Sequence, residues 1–246
     1  MEWEGPMAKS VPFELIAGNV ALNFANTLDN RCSPRGETEL LRSYDDLLRV
    51  CAQSRVLSPR QLGRLHHTAS LANGRAKAAD ALRSAIRLRE TIERIFAAVA
   101  RNQEGENASP LPRRRSHGQR PSAGPVNGND LAILNGYVKE ALAYRCIAPA
   151  SAFARRSTMT SNGSAFGWQW RGEGTDLNAP FWPLALAAAE LLVSGDLGLV
   201  RECRSATCRW LFLDKSKNHS RRWCDMKTCG NRVKARRYYR KRSLKQ

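Results

Sequence analysis

The chain has 246 residues, 42% hydrophobic and 25% charged, enough for one large or two modest domains with their own cores. Its formal net charge is +18 and its sequence pI about 10.3, a balance that favours a polyanionic partner, either nucleic acid or an anionic membrane surface. No apolar run is long enough to span a bilayer, and the opening MEWEGPMAKS lacks the basic and apolar regions of a secretory signal.

The patterned sequence starts near Phe13, which makes Met7 a second candidate start. The apolar stretch opening VPFELIAGNVALNFANTL (11–28) predicts a short strand, broken at Gly18 and Asn19, then a helix over Val20–Thr27. SYDDLLRVCAQS predicts a helix capped by Ser43, with Asp45 and Asp46 in its first turn. Ser58 followed by Pro59 marks a second helix start. The longest helix is predicted near Ala76–Arg101, where Leu82, Ile86, Leu88, Ile92, Ile95, Phe96 and Val99 form one apolar face.

Residues 102–128 are rich in Pro, Gly, Ser and Arg and cannot bury much apolar area. They predict a disordered insertion, with the RRR inside it solvated. A helix resumes at Asn129 or Asp130 and runs to about Tyr144. YRCIAPA and SAFGWQWRG predict the two strands of a hairpin, with Phe166, Trp168 and Trp170 alternating onto one buried face. PFWPLALAAAELLVSG predicts a helix over 183–194, ended by Gly195. Residues 11–200 therefore predict one mainly helical α+β domain with a small sheet, and residues 201–246 a separate small module.

That module holds the chemistry. The chain has seven cysteines, an odd number, which argues against a disulfide framework. Cys32, Cys51 and Cys146 are scattered; Cys203, Cys208, Cys224 and Cys229 form C-x4-C, fifteen residues, C-x4-C. Zn²⁺ takes four thiolates tetrahedrally, and two short-spaced pairs are a common way to supply them. The intervening RWLFLDKSKNHSRRW predicts a hairpin or extended excursion. Too few apolar residues surround the cysteines for the module to fold alone, so the metal must supply much of its stability, on the order of 10–16 kcal/mol in small finger peptides. The alternative is four reduced cysteines packed as small hydrophobes, which the charged neighbours disfavour. A full set of four leaves His219 no vacancy and leaves water no open position, which speaks against catalytic zinc. Asp214 and Asp225 are expected in turns and salt bridges, and His66 and His67 as ordinary helix residues. No nucleophile–base pattern, Gly-rich phosphate loop or HExxH is present, so no enzymatic activity is expected.

Residues 201–246 also carry sixteen Lys or Arg against Glu202, Asp214 and Asp225. GNRVKARRYYRKR predicts a helix capped by Asn231, with Ala235, Tyr238 and Tyr239 docking onto the module and a basic face turned outward. Arg221, Arg222, Asn231, Arg232, Lys234, Arg236, Arg237, Arg240 and Lys241 are the candidate nucleic-acid contacts, gripping phosphates or reading guanines. The alternative is a basic tail that only keeps the protein soluble.

CRSATCRWLFLDKSKNHSRRWCDMKTCGNRVKARRYYRKR resembles a CGNR-type zinc finger. LIAGNVALNFANT, SYDDLL, GWQWRG, APFWPLALAAAELL and LGLVREC resemble the N-terminal domain found with that finger in bacteria, the ABATE type, named for stress-induced transcription regulation. The resemblance spans about residues 13–242. It implies a bacterial cytoplasmic, nucleoid-associated protein, one structural zinc on Cys203, Cys208, Cys224 and Cys229, and DNA binding. The chain departs from the family pattern in its long insertion at 102–128 and in Asn19, where a glycine is usual.

The first domain is expected to sense a ligand, to dimerise, or both. Asn23, Asn26, Thr27, Asp29 and Arg31, with Trp168 and Trp170, offer the polar and aromatic groups of a small-molecule pocket; caps and core packing are the alternative for the same residues. Three functions follow: a regulator binding duplex DNA; an RNA-binding protein using Trp210, Trp223, Tyr238 and Tyr239 as stacking groups; or a protein-docking finger beside a ligand-binding domain.

Overall fold

A computed structural model describes residues 12–106, 124–149, 166–172 and 174–243. Helix α1 (Val20–Ala25) begins at Asn19, whose backbone is extended and whose side chain accepts from Ala21 N at 2.8 Å. The residue that departs from the family glycine is thus an N-cap, a role its short carboxamide suits better than glycine does. The strand expected before α1 does not form at residues 12–17. Phe13 N donates to Gln53 Oε1 and Ala17 N to Asn23 Oδ1, both at 2.9 Å, so side chains take the donors that a partner strand would need.

The short strands β1 (Leu28–Asp29) and β2 (Thr38–Glu39) pair antiparallel. Helices α2 (Tyr44–Gln53) and α3 (Pro59–Ser70) start at the N-caps their sequences predict, Ser43 and Ser58, and each closes a reciprocal capping box, with Asp46 and with Gln61. Helix α4 (Gly74–Glu106) is the spine of the fold and packs against α1, α2 and α3. Its buried face is Ala78, Ala81, Ala85, Leu88, Ile92, Ile95, Phe96 and Ala100, with small residues in the first half where neighbours approach closely. The helix continues through residues 102–106, into the segment expected to be an insertion; residues 107–123 of that segment lie outside the described ones.

Helix α5 (Gly128–Tyr144) leads directly into β3 (Arg145–Pro149), which pairs antiparallel with β4 (Phe166–Trp170) in the register Arg145↔Trp170, Ile147↔Trp168, Pro149↔Phe166. The hairpin is the one expected, but its aromatic face is not buried: Phe166 is 59% exposed and Trp168 63%. Trp170 turns towards the body, 5.8 Å from the ring of Trp182. Helix α6 (Trp182–Leu192) ends before Gly195, with Val193 as its C-cap, and packs between α1 and α5. The indole of Trp182 stacks on Tyr144 at 4.1 Å and donates to Glu140 Oε1.

Strands β5 (Val200–Glu202) and β6 (Leu211–Leu213) form the last antiparallel pair, followed by a five-residue π-turn, Met226–Gly230, and helix α7 (Asn231–Ser243). The architecture is α+β: helices packed on α4, with small two-stranded sheets attached. Val200, Leu211, Phe212, Leu213 and the four clustered cysteines belong to the same buried core as the helices.

Candidate metal centre and nucleic-acid interface

The first cysteine pair sits in the turn of the β5–β6 hairpin. Cys203 N donates to Trp210 O at 2.8 Å, extending the ladder by one rung, and Arg209 turns the chain back at φ 66. Trp210 N then points at Cys208 Sγ, 3.5 Å away. The second pair is shaped by Asp225, whose carboxylate accepts from Thr228 N (3.0 Å) and Thr228 Oγ1 (3.2 Å) and so closes the π-turn that carries Cys229. A Cβ at Gly230 would lie 2.4 Å from Met226 Sδ, so a larger residue there would displace the Met226 side chain. Arg204 N donates to Arg222 O at 2.9 Å and ties the two cysteine turns together.

All four sulfurs lie within 4.8 Å of one another and are buried, and Cys208–Cys224 and Cys224–Cys229 are both 3.6 Å apart. A tetrahedron of thiolates on zinc, with bonds of about 2.3 Å, has edges of about 3.8 Å. The sulfurs are therefore already spaced for one tetrahedral ion. Hydrogen bonds from neighbouring thiols pull Cys203 and Cys229 towards thiolate and push Cys208 and Cys224 the other way. Four negative sulfurs cannot coexist at this distance without a cation between them. Cys203, Cys208, Cys224 and Cys229 hold one structural zinc.

The segment between the pairs does not form a hairpin of its own. Its apolar strand β6 pairs upstream with β5, and the rest is a loop pinned by Asp214. That carboxylate, fully buried, accepts from Ser216 N (3.1 Å), Ser216 Oγ (2.5 Å) and Arg221 N (2.8 Å). Burial raises its pKa, but these bonds outweigh burial and leave it below the ordinary carboxylate range. His219 Nδ1 contacts Asp214 O at 2.9 Å, which commits it to the loop.

Several contacts fix the finger to the helices. The Asn26 carboxamide, at the C-cap of α1, donates to Leu211 O and accepts from Leu211 N, both at 2.9 Å. Leu213 N donates to Ala17 O at 2.8 Å. Together they cover the outer edge of β6, with Asn26 acting as a peptide group of a missing strand. Glu202, 2% exposed, accepts from Arg101 of α4 at 3.0 Å and from Arg209 of the first cysteine turn at 2.7 Å. Composition alone counts Glu202 and Arg101 as charge and gives no sign of this bridge; pairing across 101 residues has no local signal.

Helix α7 follows Cys229 with only Gly230 between. Asn231 does not cap it. Its backbone is already helical (φ −66, ψ −39) and its side chain donates to Lys227 O at 3.1 Å, because Asp225 has started the turn upstream. Nor do the tyrosines dock: Tyr238 is 61% and Tyr239 66% exposed, their rings edge-to-face at 5.7 Å. The main contact of α7 is the π-turn before it. Arg222, Asn231, Arg232, Lys234 and Arg236 are exposed. Arg237, Arg240 and Lys241 lie on α7, and their side chains lie outside the described ones. Arg221 is instead part of the finger: its guanidinium sits 4.4 Å over the Phe212 ring and donates to the carbonyls of Trp223 and Cys224.

The candidate pocket residues have partners of their own. Asn23 accepts from Ala17 N, Asn26 holds Leu211, and Arg31 pairs with Glu90 at 2.9 Å and donates to Ala25 O. The Arg145 guanidinium lies over Trp168 (5.0 Å) and Trp170 (5.4 Å). An open cavity of about 680 Å³ lies elsewhere, lined by residues such as Lys77, Asp80, Tyr144, Asp176 and Asn178 and by none of these five.

Among the described residues no helix is long and apolar enough to cross a membrane. No curated protein matches the chain. The family described as "CGNR zinc finger" matches residues 200–242, and the family ABATE, described as "Putative stress-induced transcription regulator", matches residues 18–195. The finger match coincides with β5 through α7 and contains all four sulfurs; the other spans α1 through α6. The chain therefore belongs to the ABATE family and carries a CGNR zinc finger at its C-terminal end.

Proposed function

We propose that this protein is a transcription regulator that binds duplex DNA through its finger. One observation carries the reading: an exposed helix with seven Lys or Arg in thirteen residues and no acid grows directly out of a metal-organised turn. A free helix of this length is marginal in water. Rooted at Cys229, its first turn is fixed, and Arg232, Lys234 and Arg236 are exposed to meet phosphates. The zinc holds that root and takes no part in chemistry, since four thiolates leave no open position. On this reading the protein is not an enzyme and works in the cytoplasm on the nucleoid. The helical domain either senses a small-molecule effector or pairs with a second copy.

A second reading rests on Tyr238 and Tyr239, exposed beside arginines as a stacking platform for unpaired RNA bases. Competition among duplex DNA, single-stranded DNA and structured RNA separates the two. Under the first reading duplex wins, log K falls with log salt by about 0.9 per phosphate contacted, and Lys234→Ala with Arg236→Ala lowers that slope by about 2. Preference for single strands, or affinity indifferent to salt, overturns it.

A further inference from the structure

The loop between β6 and the second cysteine turn is fixed without being packed. Residues 215–220 are all exposed, yet their path is set from beneath by the buried Asp214 carboxylate. Its Oδ1 holds the start of the loop at Ser216 N and Oγ, and its Oδ2 holds the end at Arg221 N. Within the loop His219 N donates to Ser216 O at 3.1 Å, and His219 sits at φ 46, in the left-handed region that side chains rarely adopt. Arg221 then turns inward over Phe212 and closes the loop onto the carbonyls of Trp223 and Cys224. A loop held this firmly contributes no apolar side chain to the core.

What it displays is cationic. KSKNHSRR (215–222) holds four Lys or Arg and no acid. Lys215 is paired with Asp196 at 2.9 Å and Arg221 belongs to the finger interior. Lys217 and Arg222 remain, both exposed and neither with an acidic partner among the described residues. The loop runs into Cys224 and α7 leaves from Cys229, whose sulfurs are 3.6 Å apart, so both basic elements are anchored at the same ion site.

We propose that this loop is a second DNA contact of the finger, gripping phosphates through Lys217 and Arg222 beside those met by α7. The proposal rests on the reading of the finger as a duplex-DNA binder and adds a second element to that contact. Charge selects a polyanion as the partner: from Lys215 to Ser243 the chain carries twelve Lys or Arg against Asp225 alone. Cations spread over two elements suit a continuous row of phosphates, and a loop already fixed by Asp214 loses little freedom on meeting them.

Titration of a labelled duplex with the full-length, zinc-loaded chain across a salt series tests it. Lys217→Ala and Arg222→Ala are each expected to lower the slope of log K against log salt by about 0.9, and together by about 1.8, in addition to the loss from the α7 pair. Zinc content and melting are expected to stay at wild-type values, because both side chains are exposed. Lys217→Arg keeps the slope, and Lys217→Gln serves if alanine loosens the loop. Lys139→Ala removes an exposed cation from α5 and leaves the slope unchanged, which controls for net charge. Loop variants with the wild-type slope overturn the proposal and leave α7 as the contact. A wild type without salt-dependent affinity for duplex overturns both the proposal and the reading beneath it. A slope lowered on single strands or structured RNA but not on duplex overturns it as well.

Discussion

Replacing Asn26 with alanine tests how the finger is joined to the helices. The carboxamide makes two 2.9 Å hydrogen bonds to one residue, Leu211, at a site 4% exposed. Alanine removes both and leaves the Leu211 N–H and C=O facing a dry gap. Each unsatisfied buried group costs about 1–3 kcal/mol, so the variant should lose about 3–4 kcal/mol. That is a large part of the ~5–15 kcal/mol typical of a domain. Urea unfolding should show a lower midpoint at unchanged slope, and hydrogen exchange should show lost protection at the Leu211 amide. Asn26→Asp should fare no better, because a carboxylate would face the Leu211 carbonyl. A loss below about 0.5 kcal/mol, with Leu211 still protected, would refute the clip and return Asn26 to the candidates for a ligand pocket.

Glu202→Ala strands Arg101 and Arg209, whose side chains are 22% and 11% exposed. With some solvent retained at Arg101, the expected cost is about 2–4 kcal/mol by thermal melting, larger than that of Arg101→Ala, which leaves the Arg209 partner in place. Glu90 is half-buried, which raises its pKa, but hydrogen bonds from Arg31 and Arg89 outweigh this and hold it below its ordinary 4.5. Its contribution is therefore complete above the unfolded value and is lost as pH falls through the lower folded one. The stability gap between wild type and Glu90→Gln should be widest near neutrality and close in acid; a gap that persists below the folded pKa contradicts the pairing.

What the sequence made legible was local. The capping residues Ser43 and Ser58 announced α2 and α3, and the apolar period announced α4, because these signals act within a turn or two. The four cysteines announced the metal, because ligand spacing survives without knowledge of the fold. The misplaced elements depend on partners outside their own segment. Residues 12–17 lost their strand to side chains of α1 and α2. The segment between the cysteine pairs, expected as a hairpin or an extended excursion, places its apolar strand against β5. Asn231 lost its capping role to Asp225, six residues upstream, through a π-turn that no propensity foretells. Trp168 and Phe166 alternate as a buried strand would, and alternation says which residues share a face without saying what covers it.

On the proposed reading, zinc held by Cys203, Cys208, Cys224 and Cys229 organises the root of α7 so that the helix grips DNA. The most direct measurement releases the metal stepwise from native protein with a thiol reagent while zinc and duplex affinity are followed in one titration. One zinc per chain is predicted, with affinity falling in step with its release and returning when thiols and zinc are restored. Native protein without stoichiometric zinc, or affinity that stays constant as the ion leaves, would contradict the account.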